Sequence, residues 1–99
     1  MSEQQDLILV EKADKVLQQL YNRYEEADEA DKWMMEPSIL KAREALLNAR
    51  LALFKQGVIT TSEDLQKLDK IKEEIDNAAN TQALIMTAAK FAVFLSTFI

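Results

Sequence analysis

The 99-residue chain contains no cysteine and no histidine. Without cysteine it can form no disulfide bond, no zinc–thiolate site and no thiolate nucleophile. Without histidine it lacks the side chain that most often acts as a general base or binds a metal in proteins. These absences exclude many common active sites. We therefore expect a protein that is not an enzyme, with no catalytic residues, no cofactor and no metal ligands.

Glycine and proline are also scarce, with one residue of each. Tight β-hairpin turns usually need Gly, Asn or Asp, so this scarcity argues against an all-β fold. Ala, Leu, Glu, Lys, Gln and Met recur throughout, and all of them are good helix formers. Hydrophobic residues make up 48% and charged residues 29% of the chain, as in a globular domain. The sequence predicts one all-α domain over residues 1–99, an antiparallel bundle of three to four helices that self-associates.

The chain is acidic, with 12 Lys and Arg residues, 17 Asp and Glu residues and a formal net charge of −5. Nucleic-acid binding requires a positive surface, so we expect no nucleic-acid partner. Near the N-terminus the longest apolar run is only Leu7 to Val10, which is too short for the apolar region of a signal peptide. We therefore expect a cytoplasmic protein.

The first two helices are predicted from apolar residues at helical spacing. The first should run from about residue 4 to 33, because Pro37 disfavours helical geometry at the residue before it. The second should begin near Pro37 or Ser38 and end at a left-handed cap on Gly57. Its predicted buried stripe repeats at three and four residues and comprises Ile39, Ala42, Leu46, Ala49 and Leu53, widened by Leu40, Leu47 and Phe54.

The C-terminal part of the chain has a clear helix start, where Thr60 with Glu63 or Thr61 with Asp64 can form a capping box. Residues 62–98 are compatible with one long helix or with two. A break is favoured near Asn77, Asn80 and Thr81, because these three residues are weak helix formers and good caps.

The segment between the second and third helices is short, so these two helices are predicted to pack antiparallel. This arrangement should bring Leu53 and Phe54 of the second helix close to Leu65 and Leu68 of the third.

Carboxylates gather in residues 25–31, where Glu25, Asp28 and Glu29 have the spacing of one helical face. Such a cluster can bind a hard cation, although the ligand spacing of a calcium-binding loop is missing. The simpler interpretation is a solvated helix end, partly neutralised by Arg43 on the second helix. The sequence leaves cation binding open.

Two acidic pairs, Glu25-x-x-Asp28 and Glu73-x-x-Asp76, resemble those of all-α nucleoside triphosphate pyrophosphatases of the MazG type. The resemblance covers four residues. It implies a magnesium-dependent enzyme as a secondary alternative for the function.

Residues 83–99 contain 13 apolar residues out of 17, spread over every side of a helix, and the charged Lys90 lies in the middle of the segment. A helix of this length spans about 26 Å, short of a typical hydrocarbon core of about 30 Å. We therefore expect this helix to be buried, partly within its own bundle and partly against a second copy. The first alternative is a membrane anchor.

The sequence thus predicts a small helical protein–protein interaction or regulatory module that acts through self-association. The expected partner is a second copy in a homodimer or another homo-oligomer, and an unidentified protein partner is also compatible with the sequence. Trp33, Met34 and Met35 form a cluster that would either close one end of the core or contact a partner. The predicted interface residues are Trp33, Met34, Met35, Phe91, Phe94, Leu95 and Phe98.

Overall fold

The computed structural model describes residues 2–56 and 60–99. Its helices are α1 (Ser2–Glu26), α2 (Glu29–Gln56), α3 (Ser62–Asn77) and α4 (Thr81–Ser96). They pack into a bundle that measures 43 × 21 × 17 Å. This architecture confirms the predicted all-α fold. The predicted left-handed cap at Gly57 lies outside the described residues.

The bundle has an unexpected arrangement of neighbours. α1 packs against α2 and α3, and α4 packs against the same two helices. In the described part of the chain, α2 and α3 therefore lie on a diagonal, and the prediction that they pack side by side is wrong. α1 and α4 each pack against both α2 and α3, and they complete the core on either side of this diagonal.

Contacts between side chains show that α1 and α3 run in the same direction. Near their N-terminal ends the Gln5 amide donates to Ser62 Oγ at 3.4 Å, and one heptad further along Lys12 Nζ lies 2.7 Å from Asp69 Oδ1. Towards their C-terminal ends, Arg23 of α1 reaches the carbonyl oxygen of Ile75. Since α2 folds back along α1 and α4 folds back along α3, α2 and α4 also run parallel to each other.

The first helix ends seven residues earlier than predicted, at Glu26, and Pro37 lies inside α2. Asp28 explains the new boundary because its carboxylate accepts a hydrogen bond from the Asp31 amide at 2.9 Å, as an N-cap does. Pro37 removes one backbone donor from the helix. The helix continues because buried residues on both sides of the proline, Met35 and Ile39, hold it against the core.

The predicted start of α3 and the favoured break between α3 and α4 are confirmed. Thr61 Oγ1 accepts from the Asp64 amide at 3.2 Å, and the Asp64 carboxylate accepts from the Thr61 amide at 3.0 Å, which completes the capping box. Asn80 caps α4 by accepting from the Ala83 amide at 2.9 Å. Residues 62–98 therefore form two separate helices.

The core contains residues from all four helices and includes the predicted buried stripe of α2. The residues expected to widen this stripe, Leu40, Leu47 and Phe54, are exposed instead, so that prediction is wrong. On α4 one face is buried, and Lys90 extends from the flank beside α3 to Glu74 at 2.9 Å. The tail is therefore partly covered by its own bundle, as predicted.

Candidate protein–protein interface

The seven residues predicted to form an interface separate into a buried and an exposed group. Five side chains lie in the core of the bundle: Met35, Phe91, Phe94, Leu95 and Phe98. The rings of Phe94 and Phe98 meet edge to face, with their centroids 5.3 Å apart. Trp33 is 79% exposed and Met34 is 55% exposed. Among the seven, only these two expose most of their surface to solvent.

The acidic cluster is divided between two helices. Glu25 lies at the end of α1, whereas Asp28 caps α2 with its carboxylate. In the second acidic pair, Asp76 Oδ2 lies 3.2 Å from Lys72 Nζ. Among the described residues, no group of three or more carboxylates is placed to hold a metal ion. The structure therefore does not bring the two acidic pairs together as a cation site.

Arg43 was expected to neutralise the acidic cluster, and the earlier turn changes this pairing. Because the chain reverses at residues 27–28, the part of α2 that lies beside the acidic cluster precedes Arg43. In the described part of the chain, Arg50 is the arginine of α2 that meets α1, with Nη1 4.0 Å from Asp14 Oδ1. The predicted ion pair of Arg43 is not formed.

The most prominent exposed apolar surface of the described residues runs along α2. Trp33, Leu40, Leu47 and Phe54 follow one another at intervals of seven residues, and Leu51 adds to the same side. Leu40, Leu47 and Leu51 are exposed by 51%, 50% and 59%, and Phe54 by 91%. We call these five residues the outer seam. A heptad repeat of large apolar residues on one side of a helix is typical of a helix that packs along another.

Three residues of the outer seam were predicted from the sequence to widen the buried stripe of α2. Leu40, Leu47 and Phe54 each follow a buried residue directly, and one residue rotates the side chain by about 100° around the helix. That rotation moves them from the core to an outer side. Their own seven-residue spacing, shared with Trp33, was the signal for a second and separate apolar stripe.

Half-buried residues of α1 border the outer seam. The Asp14–Arg50 contact shows which residues of the antiparallel helices α1 and α2 lie at the same height along the bundle. One turn away in either direction, Val10 comes level with Phe54 and Leu17 with Leu47, and both α1 residues are partly buried against the core. The apolar surface therefore continues from α2 towards α1.

The acidic end of the hairpin has a polar contact beside the seam. Tyr24 Oη donates a hydrogen bond to Glu36 Oε2 at 3.3 Å, and Lys32 Nζ lies 5.7 Å from the centre of the Tyr24 ring. Desolvation, together with the hydrogen bond and charge of Glu36, raises the pKa of the Tyr24 phenol above its ordinary value. An ordinary tyrosine phenol is already protonated at neutral pH, so Tyr24 can donate to Glu36 there.

An open groove lies on another side of the bundle, between α3 and α4, with a volume of about 680 Å³. Ile71 and Phe94 contribute apolar surface to it, and lysine and glutamate side chains line its edges. Two of these charged groups, Lys90 and Glu74, are already paired with each other. The groove therefore offers a ligand fewer unpaired charged groups than the number of lysine and glutamate residues that line it.

The membrane alternative requires a helix that can cross a bilayer. Among the described residues, no helix combines the length and apolarity needed to cross a bilayer. Comparison of the chain with protein-family models, curated proteins and solved structures found no match.

Proposed function

We propose that the protein is a small helical interaction module that forms a homodimer through the outer seam of α2. The observation that supports this proposal is the exposed heptad repeat of Trp33, Leu40, Leu47 and Phe54. A helix that packs only against its own bundle needs one apolar stripe, and α2 has a second one. Leaving such a stripe in water has an unfavourable free energy, which pairing of two copies would remove.

The exposed area is large enough for an interface. A full aromatic side chain presents about 150–250 Å². With 79% of Trp33 and 91% of Phe54 exposed, these two residues offer about 250–400 Å². Adding the three leucines of the seam brings the surface towards the roughly 800 Å² per partner of a standard interface. It is comparable to the largest apolar patch of a typical monomer, about 300–600 Å², and such patches are often functional.

A second copy is the occupant that this surface fits best. Most soluble oligomers are symmetric homo-oligomers, and two-fold dimers are the commonest class. In such a dimer a single self-complementary stripe buries two exposed surfaces at once. The centre of the seam is aliphatic and its ends carry Trp33 and Phe54, the residue types that supply the largest contact areas in interfaces.

Light scattering of the purified protein, with concentrations from micromolar to about 200 micromolar, tests the proposal. We expect a dimer that dissociates on dilution. Leu47→Glu should give a monomer, because it places a charge in the centre of the apolar interface, whereas its helix content and melting should stay close to those of the unmodified protein.

Met86→Glu is the matched control, since Met86 is 67% exposed on α4, away from the seam. This variant should dimerise like the unmodified protein. A monomer at every concentration, or a Leu47→Glu dimer as tight as the control, would overturn the proposal.

A further inference from the structure

We infer that the two copies pair α2 against α2 in antiparallel orientation, with Leu40 of one copy level with Leu47 of the other. This inference rests on the proposed function and specifies how the second copy binds. It places Trp33 of each copy level with Phe54 of its partner. The spacing of the seam, the distribution of charge along α2 and the flanking residues Glu36 and Arg50 favour this pairing.

The seam is symmetric about a point between Arg43 and Glu44. Leu40 and Leu47 lie equally far from that point on either side, and so do Trp33 and Phe54. When a two-fold axis passes beside this point, every large residue of the repeat meets another large apolar residue. The contact then extends over about 31 Å, the distance from Trp33 to Phe54 at 1.5 Å per residue.

The charges of α2 and its N-cap select the antiparallel orientation. Residues 28–36 carry four acidic side chains and one lysine, whereas residues 41–55 carry four basic side chains and one glutamate. In a parallel pair, the acidic segments would lie together and the basic segments would lie together. In an antiparallel pair, the acidic segment of one copy lies beside the C-terminal part of the other, where Arg50 and Lys55 are found. Opposite potentials therefore meet along the interface.

Two flanking residues provide a specific pair. Glu36 and Arg50 both lie on the side of α2 that faces α1, because Glu36 contacts Tyr24 and Arg50 contacts Asp14. In an antiparallel two-fold pair, the same flanks of the two helices meet. Glu36 of one copy therefore comes within one residue of the level of Arg50 of the other, and symmetry forms this contact twice.

Cysteine cross-linking tests the orientation, and the natural chain has no cysteine to interfere. Leu40→Cys and Leu47→Cys proteins are prepared separately, shown by light scattering under reducing conditions to dimerise, mixed and then mildly oxidised. We expect the 40–47 disulfide between the two proteins to dominate in peptide mass spectra. Leu40 positions of the two copies would be separated by about seven residues, or roughly 10 Å along the axis, which is too far for a disulfide.

The outcomes separate this inference from the proposed function. Dimers that form mainly 40–40 and 47–47 disulfides would overturn the antiparallel orientation and leave the dimer itself intact. Dimers that form no disulfide at either position would show that α2 does not meet α2. A monomer in light scattering of the unmodified protein would overturn both proposals.

Charge reversal supplies a second test that does not use cysteine. Glu36→Lys and Arg50→Glu should each weaken dimerisation by about threefold to tenfold, because each places like charges opposite one another. The double variant should recover most of this loss, since the pair is restored with opposite polarity. A double variant whose affinity is reduced by the product of the two single effects would contradict the antiparallel contact.

Discussion

At the scale of single residues, Arg23 is the side chain that ties the first helix to the second half of the bundle. Its Nη1 donates to the Ile75 carbonyl oxygen at 2.8 Å, and its Nη2 donates to the Ala78 carbonyl oxygen at 2.7 Å. The last carbonyl groups of a helix have no partner within the helix, and a cation is favourable at that end. Arg23 therefore both satisfies the C-terminal end of α3 and joins it to α1.

Replacing Arg23 with methionine should lower the free energy of unfolding by about 1.5–3 kcal/mol, the range for hydrogen bonds to charged groups. Arg23→Lys should recover only part of this loss, because an ammonium group lacks the planar fork that reaches two carbonyls at once. Urea unfolding followed by circular dichroism measures these changes.

Arg43→Met is the control for this prediction, because Arg43 is exposed and makes no ion pair with another described residue. We expect an effect within about 0.5 kcal/mol for this surface substitution. Equal stability of the Arg23→Met and Arg43→Met variants would show that the hydrogen bonds of Arg23 to the end of α3 contribute nothing to the free energy of unfolding.

At the scale of the helix, α2 carries two apolar stripes that differ in their surroundings. The stripe that contains Leu46 packs in the core, where Leu46 is 3% exposed, and its neighbour Leu47 belongs to the outer seam. The two leucines are adjacent in sequence and chemically identical. Their different burial predicts that the same substitution unfolds the protein at Leu46 and leaves the fold intact at Leu47.

Leu46→Asp should unfold the protein, since it buries a charge without a partner at a cost of several kcal/mol. Leu47→Asp should retain the helical content and cooperative melting of the unmodified protein at concentrations where it is a monomer. Thermal unfolding followed by circular dichroism distinguishes the two variants. Similar melting temperatures for both would mean that α2 has a different rotation in the bundle.

The outer seam also has an internal weakness at Glu44. This residue lies between Leu40 and Leu47, next to the proposed two-fold axis, so the two copies of its carboxylate come close to each other. Glu44→Leu should tighten the dimer by about tenfold or more, because it removes this repulsion and fills a gap in the repeat. Sedimentation equilibrium measures the change. A weaker dimer would place the seam outside the interface.

At the scale of the whole molecule, the order of the helices around the bundle makes α4 essential to the core. α4 packs along both α2 and α3, and its buried residues include Phe91, which is fully buried. α2 and α3 lie on a diagonal and do not replace this contact. The apolar C-terminal helix is therefore explained in large part by the packing of its own chain.

Deleting residues 81–99 should abolish cooperative unfolding, because it exposes the core faces of α2 and α3 to water. The truncated protein should have reduced helix content, a broad thermal transition and increased binding of a hydrophobic dye such as anilinonaphthalene sulfonate. A truncated protein that remains folded and melts sharply would contradict the role of α4 and would favour a peripheral tail.

The sequence by itself determined the features that depend on neighbouring residues. The capping box at Thr60–Glu63 or Thr61–Asp64, the favoured break near Asn80 and the helical spacing of Leu46 with Ala49 all depend on groups within four positions of each other. The physical causes are local hydrogen bonds and the 3.6-residue helical repeat, and both can be recognised without knowledge of the rest of the fold. The all-α class followed from the composition, which has one Gly, one Pro and many good helix formers.

Only the tertiary structure decided which apolar stripe of α2 is covered, and where the candidate interface lies. Leu46 and Leu47 have the same hydrophobicity, and a helix in this bundle has two close neighbours, which cover one side of it. The same principle explains Pro37, since the packing of Met35 and Ile39 outweighs the lost backbone hydrogen bond. Both outcomes depend on contacts with residues distant in sequence, whose free energies decide between locally equivalent alternatives.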